Sequence, residues 1–342
     1  MASLIHNVFA TITVSALTVA TACVTSSPIH AQKQATTVFS LAKRTPLVLH
    51  VRVTDRRESG EALRITFTML EALRGNPTVA LELEELGAHH CGAACHGLEV
   101  GSRMILFATE RDGQLRVRGG SRGLLHESDE RMALMRTLVA EPEPAAMIRL
   151  VTGALNSKDS RIAEDAALAL ATLPGLERMK DDDRARLELA VETELRASSS
   201  RLFGLLTAST RVSPTFAAKT AWSLWLEPRR APWHSVAKCV LVEDVPAQVT
   251  TESVDFASLD VEGRRRTAML FQGIRSDTHG GALLRRLASD VDPRVRAEAV
   301  AALLLRGTDP GVVASDTRRA ADVIVLREQG SRYGAIRPKT RR

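Results

Sequence analysis

Aromatic residues make up 4% of the 342 residues, and a single one is tyrosine. That scarcity removes the basic patch interleaved with stacking aromatics that a nucleic-acid surface uses. No nucleic-acid partner is therefore expected, although the formal net charge is +6; the excess is spread along the chain. Few rings also favour a core of Leu, Ala and Val, as in packed helices. There is no H-E-x-x-H, no G-x-x-x-x-G-K loop and no dinucleotide fingerprint, so those motifs offer no metalloprotease, P-loop or nicotinamide chemistry. Cysteine is sparse: Cys23, Cys91, Cys95 and Cys239. What remains, 44% hydrophobic and 25% charged, is the composition of a folded chain, long enough for about two domains.

Charge is also missing from Val8 to Val24. That run is short for a membrane span and diluted by threonine and serine. Small residues and S-P-I-H-A-Q follow, with a cleavage site after Ala31. Residues 1–31 thus read as a secretory signal peptide, although no Lys or Arg leads it. The competing reading is a lipoprotein signal with Cys23 lipidated, where Ala20 takes the place of the usual larger aliphatic. Either way the protein is expected to be exported: periplasmic, outer-envelope or secreted. It would meet a membrane only through an uncleaved signal or a lipid anchor. Export puts Cys91 and Cys95 in an oxidising compartment as disulfide candidates. Cys239, in H-S-V-A-K-C-V-L-V, reads as a small core hydrophobe.

After a polar lead-in from Ala35 to Arg44 that opens with a short helix, Pro46 to Arg118 alternates apolar and polar residues, the period of half-buried strands. The first strand points Leu47, Leu49, Val51 and Val53 inward and His50 and Arg52 outward. The second buries Leu63, Ile65, Phe67 and Met69 and ends at a Gly75-Asn76 turn; the third buries Val79, Leu81 and Leu83. R-M-I-L-F-A-T is apolar on both faces, as a central strand is. Asp112-Gly113 is a tight turn before Leu115 and Val117.

The segment M-L-E-A-L-R-G, followed by a strand and then C-G with V-G-S-R-M-I-L-F-A, resembles the netrin-like modules. These are the small OB-type barrels shared with tissue inhibitors of metalloproteinases and found in exported bacterial proteins. The likeness covers about Phe39 to Gly123 and implies a five-stranded OB-type barrel. Two departures matter. G-G-S-R-G stands where family members often carry a second Cys, which leaves Cys95 as the partner for Cys91. No Cys opens the barrel to chelate a protease's zinc, so inhibition does not carry over.

From Leu124 the spacing of apolar residues lengthens to three and four, the helical period. D-S-R-I-A-E-D-A-A-L-A-L from Asp159 and D-P-R-V-R-A-E-A-V-A-A-L from Asp292 align without gaps. Asp159 and Asp292 are placed to cap, Pro293 to occupy the first turn, and alanines to let helices approach closely. With Arg161, Arg294 and Val295 they resemble the repeating helix of HEAT proteins, where stacked pairs bury a continuous core. The tail from Gly330 is basic.

H-H-C-G-A-A-C-H (residues 89–96) supports three readings: a Cys91–Cys95 disulfide, a Zn or Cu site using His90, Cys91, Cys95 and His96, or an over-long haem attachment motif. G-G-S-R-G (residues 119–123) fits the nucleophile-elbow pattern around Ser121, but that motif needs a buried strand before it and a helix directly after it. A linker between two domains is the favoured reading there.

The expected architecture is multi-domain: a signal over 1–31 (or to Cys23), an all-β OB-type barrel over 35–122, an all-α HEAT-like solenoid over 124–329, and a basic tail over 330–342. The expected function is non-enzymatic, a scaffold for an unidentified protein partner, with no cofactor. The alternative is a Zn- or haem-binding envelope protein centred on the Cys/His cluster.

Overall fold

In the computed structural model the described residues are 36–59, 62–86, 98–197, 199–227, 234–273 and 280–334. Helix α1 (Val38–Arg44) starts at a reciprocal cap: the Thr37 hydroxyl accepts the Ser40 amide, and the Ser40 hydroxyl accepts the Thr37 amide. The stretch looked like a polar lead-in, yet Val38, Phe39, Leu41 and Ala42 are all buried.

Six antiparallel strands follow: β1 (Leu47–Ser59), β2 (Ala62–Arg74), β3 (Glu82–Leu86), β4 (Arg103–Arg111), β5 (Gln114–Val117) and β6 (Leu124–His126). Their order is β3-β2-β1-β4-β5, with β6 on β4. One face gathers Leu49, Val51, Val53, Ile65, Phe67, Leu83, Met104 and Leu106 into an apolar cluster of its own. The other face sends Val48, Ile105, Phe107 and Leu125 into the core of the helices. β4 is therefore apolar on both sides, as its sequence pattern required.

Three local expectations are corrected. His50 does not face water: it is 8% exposed, because its side of β1 lies against helices. Met69 is not buried with its neighbours on the sheet's apolar face: it is 41% exposed. Val51 pairs with Met69 and His50 with Glu71, so Leu70 is an extra residue in β2; past this bulge the inward parity shifts, and Ala72 stands opposite Leu49. Leu124 begins the last strand, not the first helix.

The stretch at Gly119–Gly123 is not a slack linker. Gly120–Gly123 forms a 3-10 turn, and a Cβ on Gly123 would lie 2.0 Å from the Arg118 carbonyl oxygen. A Cβ on Gly119 would lie 2.9 Å from Thr36.

Helices complete the chain: α2 (Asp129–Val139), α3 (Pro144–Ala154), α4 (Ser160–Thr172), α5 (Asp181–Ala197), α6 (Leu202–Val212), α7 (Pro214–Leu226), α8 (His234–Leu241), α9 (Asp244–Ser253), α10 (Val261–Phe271), α11 (Gly281–Leu287), α12 (Pro293–Leu305) and α13 (Ser315–Gly334). Ser128, Asp159, Asp260 and Asp292 cap α2, α4, α10 and α12 with their side chains. One apolar cluster runs from Val38 in α1 through Leu170 and Trp222 to Leu303 in α12, so sheet and helices share a core. At the far end Val300 and Ala301 meet Ala321 of α13. No described helix is long and apolar enough to cross a membrane.

Candidate functional site

The segment M-L-E-A-L-R-G at the end of β2 has a structural task. Leu73 leans on the helical core. The Arg74 guanidinium donates to the carbonyls of Ala42 and Lys43 at the end of α1, and to Val139 O (3.1 Å) and Glu141 Oε1 (3.0 Å) at the end of α2. The last carbonyls of a helix lack partners within it and carry its negative pole, so one cation closes two helix ends. Gly75 has φ 67°, and a Cβ there would lie 2.5 Å from Pro46 O, which explains why glycine must follow.

A second seam surrounds Asp165 on the inner face of α4. Its carboxylate is fully buried and accepts the Val38 amide at 2.7 Å and the Arg122 guanidinium. Arg161 of the same helix donates to Leu124 O (3.0 Å) and Arg122 O (2.6 Å). Burial pushes the Asp165 carboxyl up, against the pull of the Val38 amide, Arg122 and Arg161. α1, the 3-10 turn and α4 are thereby fastened at one point.

The third feature repeats. Arg131 donates to Asp159 and, at 2.8 Å, to His126 O, while the Asp159 amide donates to Ser157 Oγ at 3.0 Å. Arg264 donates to Asp290 at 2.7 Å and to Leu259 O at 2.7 Å, while the Asp292 amide donates to Asp290 Oδ1 at 2.9 Å. His126, Arg131, Ser157 and Asp159 are spaced along the chain as Leu259, Arg264, Asp290 and Asp292 are. The same offset superposes α4 on α12 end to end and carries buried Ile162 to Val295, Ala166 to Ala299 and Leu170 to Leu303. It also carries buried Asp165 to buried Glu298, whose carboxyl burial likewise pushes up. Asp159, though partly buried, is held below the ordinary range by Arg131 and the first amides of α4. The Arg294 side chain folds back on Asp292 and helps lower its pKa to about 2.

Two depressions mark the surface beside these seams. A groove of about 350 Å³ has Phe39, Leu138, Met147 and Leu173 along it, with Lys43 and Glu143 also lining it. An open polar hollow of about 580 Å³ is lined by Ser102, Arg103, His126, Glu127, Ser128 and Asp129. Next to it, His50 Nε2 faces Glu127 Oε2 at 3.2 Å, off the line of a hydrogen bond.

Of the residues singled out in the sequence, Asp159, Arg161, Asp292, Pro293, Arg294 and Val295 all lie at the two corresponding helix starts. Ser121 is exposed on the 3-10 turn and is followed by strand β6, so the strand-turn-helix of a nucleophile elbow is not formed. Cys239 is a half-buried free thiol whose pKa burial raises. Cys23, His90, Cys91, Cys95, His96 and the signal segment lie outside the described residues. Among the described residues no cluster of His, Cys, Asp or Glu is arranged to hold a metal ion. Arg74, Arg122 and Asp165 lie inside the quoted segments M-L-E-A-L-R-G, G-G-S-R-G and D-S-R-I-A-E-D, but their roles are not legible there; Arg131 lies in no motif. No family model, curated protein or solved structure matches the chain.

Proposed function

We propose that this protein is a non-enzymatic, exported or cell-envelope scaffold. In this reading a netrin-like, OB-type barrel over 35–122 is seated on a HEAT-like solenoid over 124–329 that holds a protein partner. The observation that carries it is that Arg131 of α2 and Arg264 of α10 each bind a carbonyl five residues earlier and an acid at the approach to α4 or α12, Asp159 in one and Asp290 in the other, with the same capping and the same buried positions. Recurring helix units with recurring contacts are how solenoids build extended binding surfaces. The barrel half is supported by β1 pairing with both β2 and β4, and by the approach of edge strands β3 and β5, the layout of a partly open five-stranded barrel. The export half rests on the uncharged N-terminal run.

The groove beside α1, α2 and α3 is where a partner's apolar side chain fits, because Met147 and Leu173 are half-buried there without closing it. The test is affinity isolation of the full chain from fractionated cells after cross-linking, alongside Met147→Glu. The reading expects the native chain in the envelope or periplasmic fraction with one stoichiometric protein, and loss of that protein from the variant. A cytosolic chain, or a recovered protein indifferent to Met147→Glu, overturns it.

A further inference from the structure

One corner of the helical region exists in two versions. The offset that carries α4 onto α12 also carries Leu138 to Phe271, Met147 to Gly280 and Leu173 to Arg306, and it brings the ends of α3 and α11 into register. In the second version the corner is filled from within. Phe271 is fully buried, and its ring lies so close to Gly280 that a Cβ there would be 2.0 Å from Cδ1. Gly280 takes φ 91°, which favours glycine, and Arg306 donates to Phe271 O at 3.4 Å. In the first version Leu138 stands where that ring does. Met147 and Leu173 are half-buried beside it, and a groove of about 350 Å³ is left between them and Phe39 of α1.

From this we infer, resting on the reading that the groove receives a partner protein, that the side chain it receives is an aromatic ring. A ring is what completes the corresponding corner of the other copy. The size is right: an apolar cavity of about 150 Å³ already holds benzene, so a phenyl or an indole enters this groove. The walls favour a ring as well, because the Met147 thioether and the Phe39 ring both interact with aromatic side chains beyond simple burial. The rim completes the match through charge. The Lys43 ammonium complements the negative face of a ring, and the Glu143 carboxylate complements its positive edge. An aliphatic side chain answers the apolar walls alone.

The experiment is nuclear magnetic resonance of the full chain labelled at its methionine methyls, the Met147 signal being the one lost in Met147→Leu. N-acetylphenylalaninamide and N-acetyltryptophanamide are titrated in parallel with N-acetylleucinamide. Both aromatic amides are expected to move the Met147 methyl upfield by ring current, to saturate, and to bind about fivefold more tightly than the leucine amide. Lys43 is exposed, so Lys43→Ala is expected to keep the fold. That variant should weaken the aromatic amides roughly two- to fivefold and leave the leucine amide unchanged. Equal affinity for the leucine amide, or a Met147 methyl that responds to neither aromatic amide, overturns the inference. So does a chain that sediments as a dimer and becomes monomeric with the aromatic amides, which would place a second copy in the groove. The probes need no natural partner. A failure here therefore leaves the Met147-dependent recovery of a protein, which tests the scaffold reading, to be judged separately.

Discussion

Replacing Arg122 with alanine isolates what it costs to bury Asp165. In the native protein that carboxylate has no exposure and three stabilising neighbours: the Val38 amide at 2.7 Å, the Arg122 guanidinium and the charge of Arg161. The variant keeps the amide and Arg161 but removes the direct ion pair. Breaking a buried pair by deleting one member costs roughly 3–5 kcal/mol, because the survivor is stranded. Arg122 is 38% exposed, so solvent already screens part of the attraction, and the expected loss at pH 7 is about 2–3 kcal/mol. The pH dependence is the sharper readout. Burial raises the folded pKa of Asp165 above the ordinary value of 3.8, so the folded protein holds that proton more tightly than the unfolded chain. This group's contribution is therefore most favourable at or below the unfolded value and declines as pH rises through the folded one. Removing Arg122 raises the folded value further. Urea unfolding at steps between pH 7 and pH 4 should show the variant's deficit shrinking as the carboxyl takes up its proton. A deficit that is flat or grows towards pH 4 would refute the assignment of Asp165 as the buried, strained charge.

Gly123→Ala should destabilise by more than about 3 kcal/mol or abolish soluble expression, since its Cβ would meet Arg118 O at 2.0 Å and Val117 Cγ1 at 2.5 Å. Gly153→Ala in α3, with nothing within 4 Å, should raise stability by up to about 1 kcal/mol in the same thermal melt. Arg131→Ala and Arg264→Ala should each cost about 1–2 kcal/mol, and the double variant should lose their sum within about 0.5 kcal/mol, as distant equivalents do; strong coupling in denaturant melts would deny that they are separate copies of one device. Asp292→Asn should keep the α12 cap yet remove an acid-dependent loss of stability, present in the native protein as pH falls from 3.8 towards about 2. Alkylation mapped by mass spectrometry at pH 7.5 should modify Cys239 more slowly than a free thiol, because burial raises its pKa.

Much of the strand and helix pattern was legible because it is periodic. Alternation over Leu47–Val53 and Leu63–Phe67 locates the residues of the sheet's own apolar cluster, and the D-S-R-I and D-P-R-V starts locate α4 and α12. What could not be read depends on contacts made far along the chain. The bulge at Leu70 exists only in the pairing of β2 with β1, so it moves the inward parity to Ala72 without a local signal. His50 is buried because α2 arrives from residues much later in the sequence. Arg74 looks like any exposed cation at a strand end, and only the meeting of two helix termini gives it work. Glycines at 119 and 123 resemble a spacer until the close approach of Thr36 and Arg118 shows why side chains are excluded there.

Because α1 packs between the sheet and the helices, and its first amide is held by Asp165, the fold has a firm boundary at Thr37. The cap on Thr37 and the four buried side chains of α1 belong to the shared core. A cut beyond Arg44 would take those side chains away, empty the site against Phe107 and Leu138, and leave Arg74 gripping one helix end where it now grips two. A chain shortened past Thr37 therefore loses part of its core along with the cap.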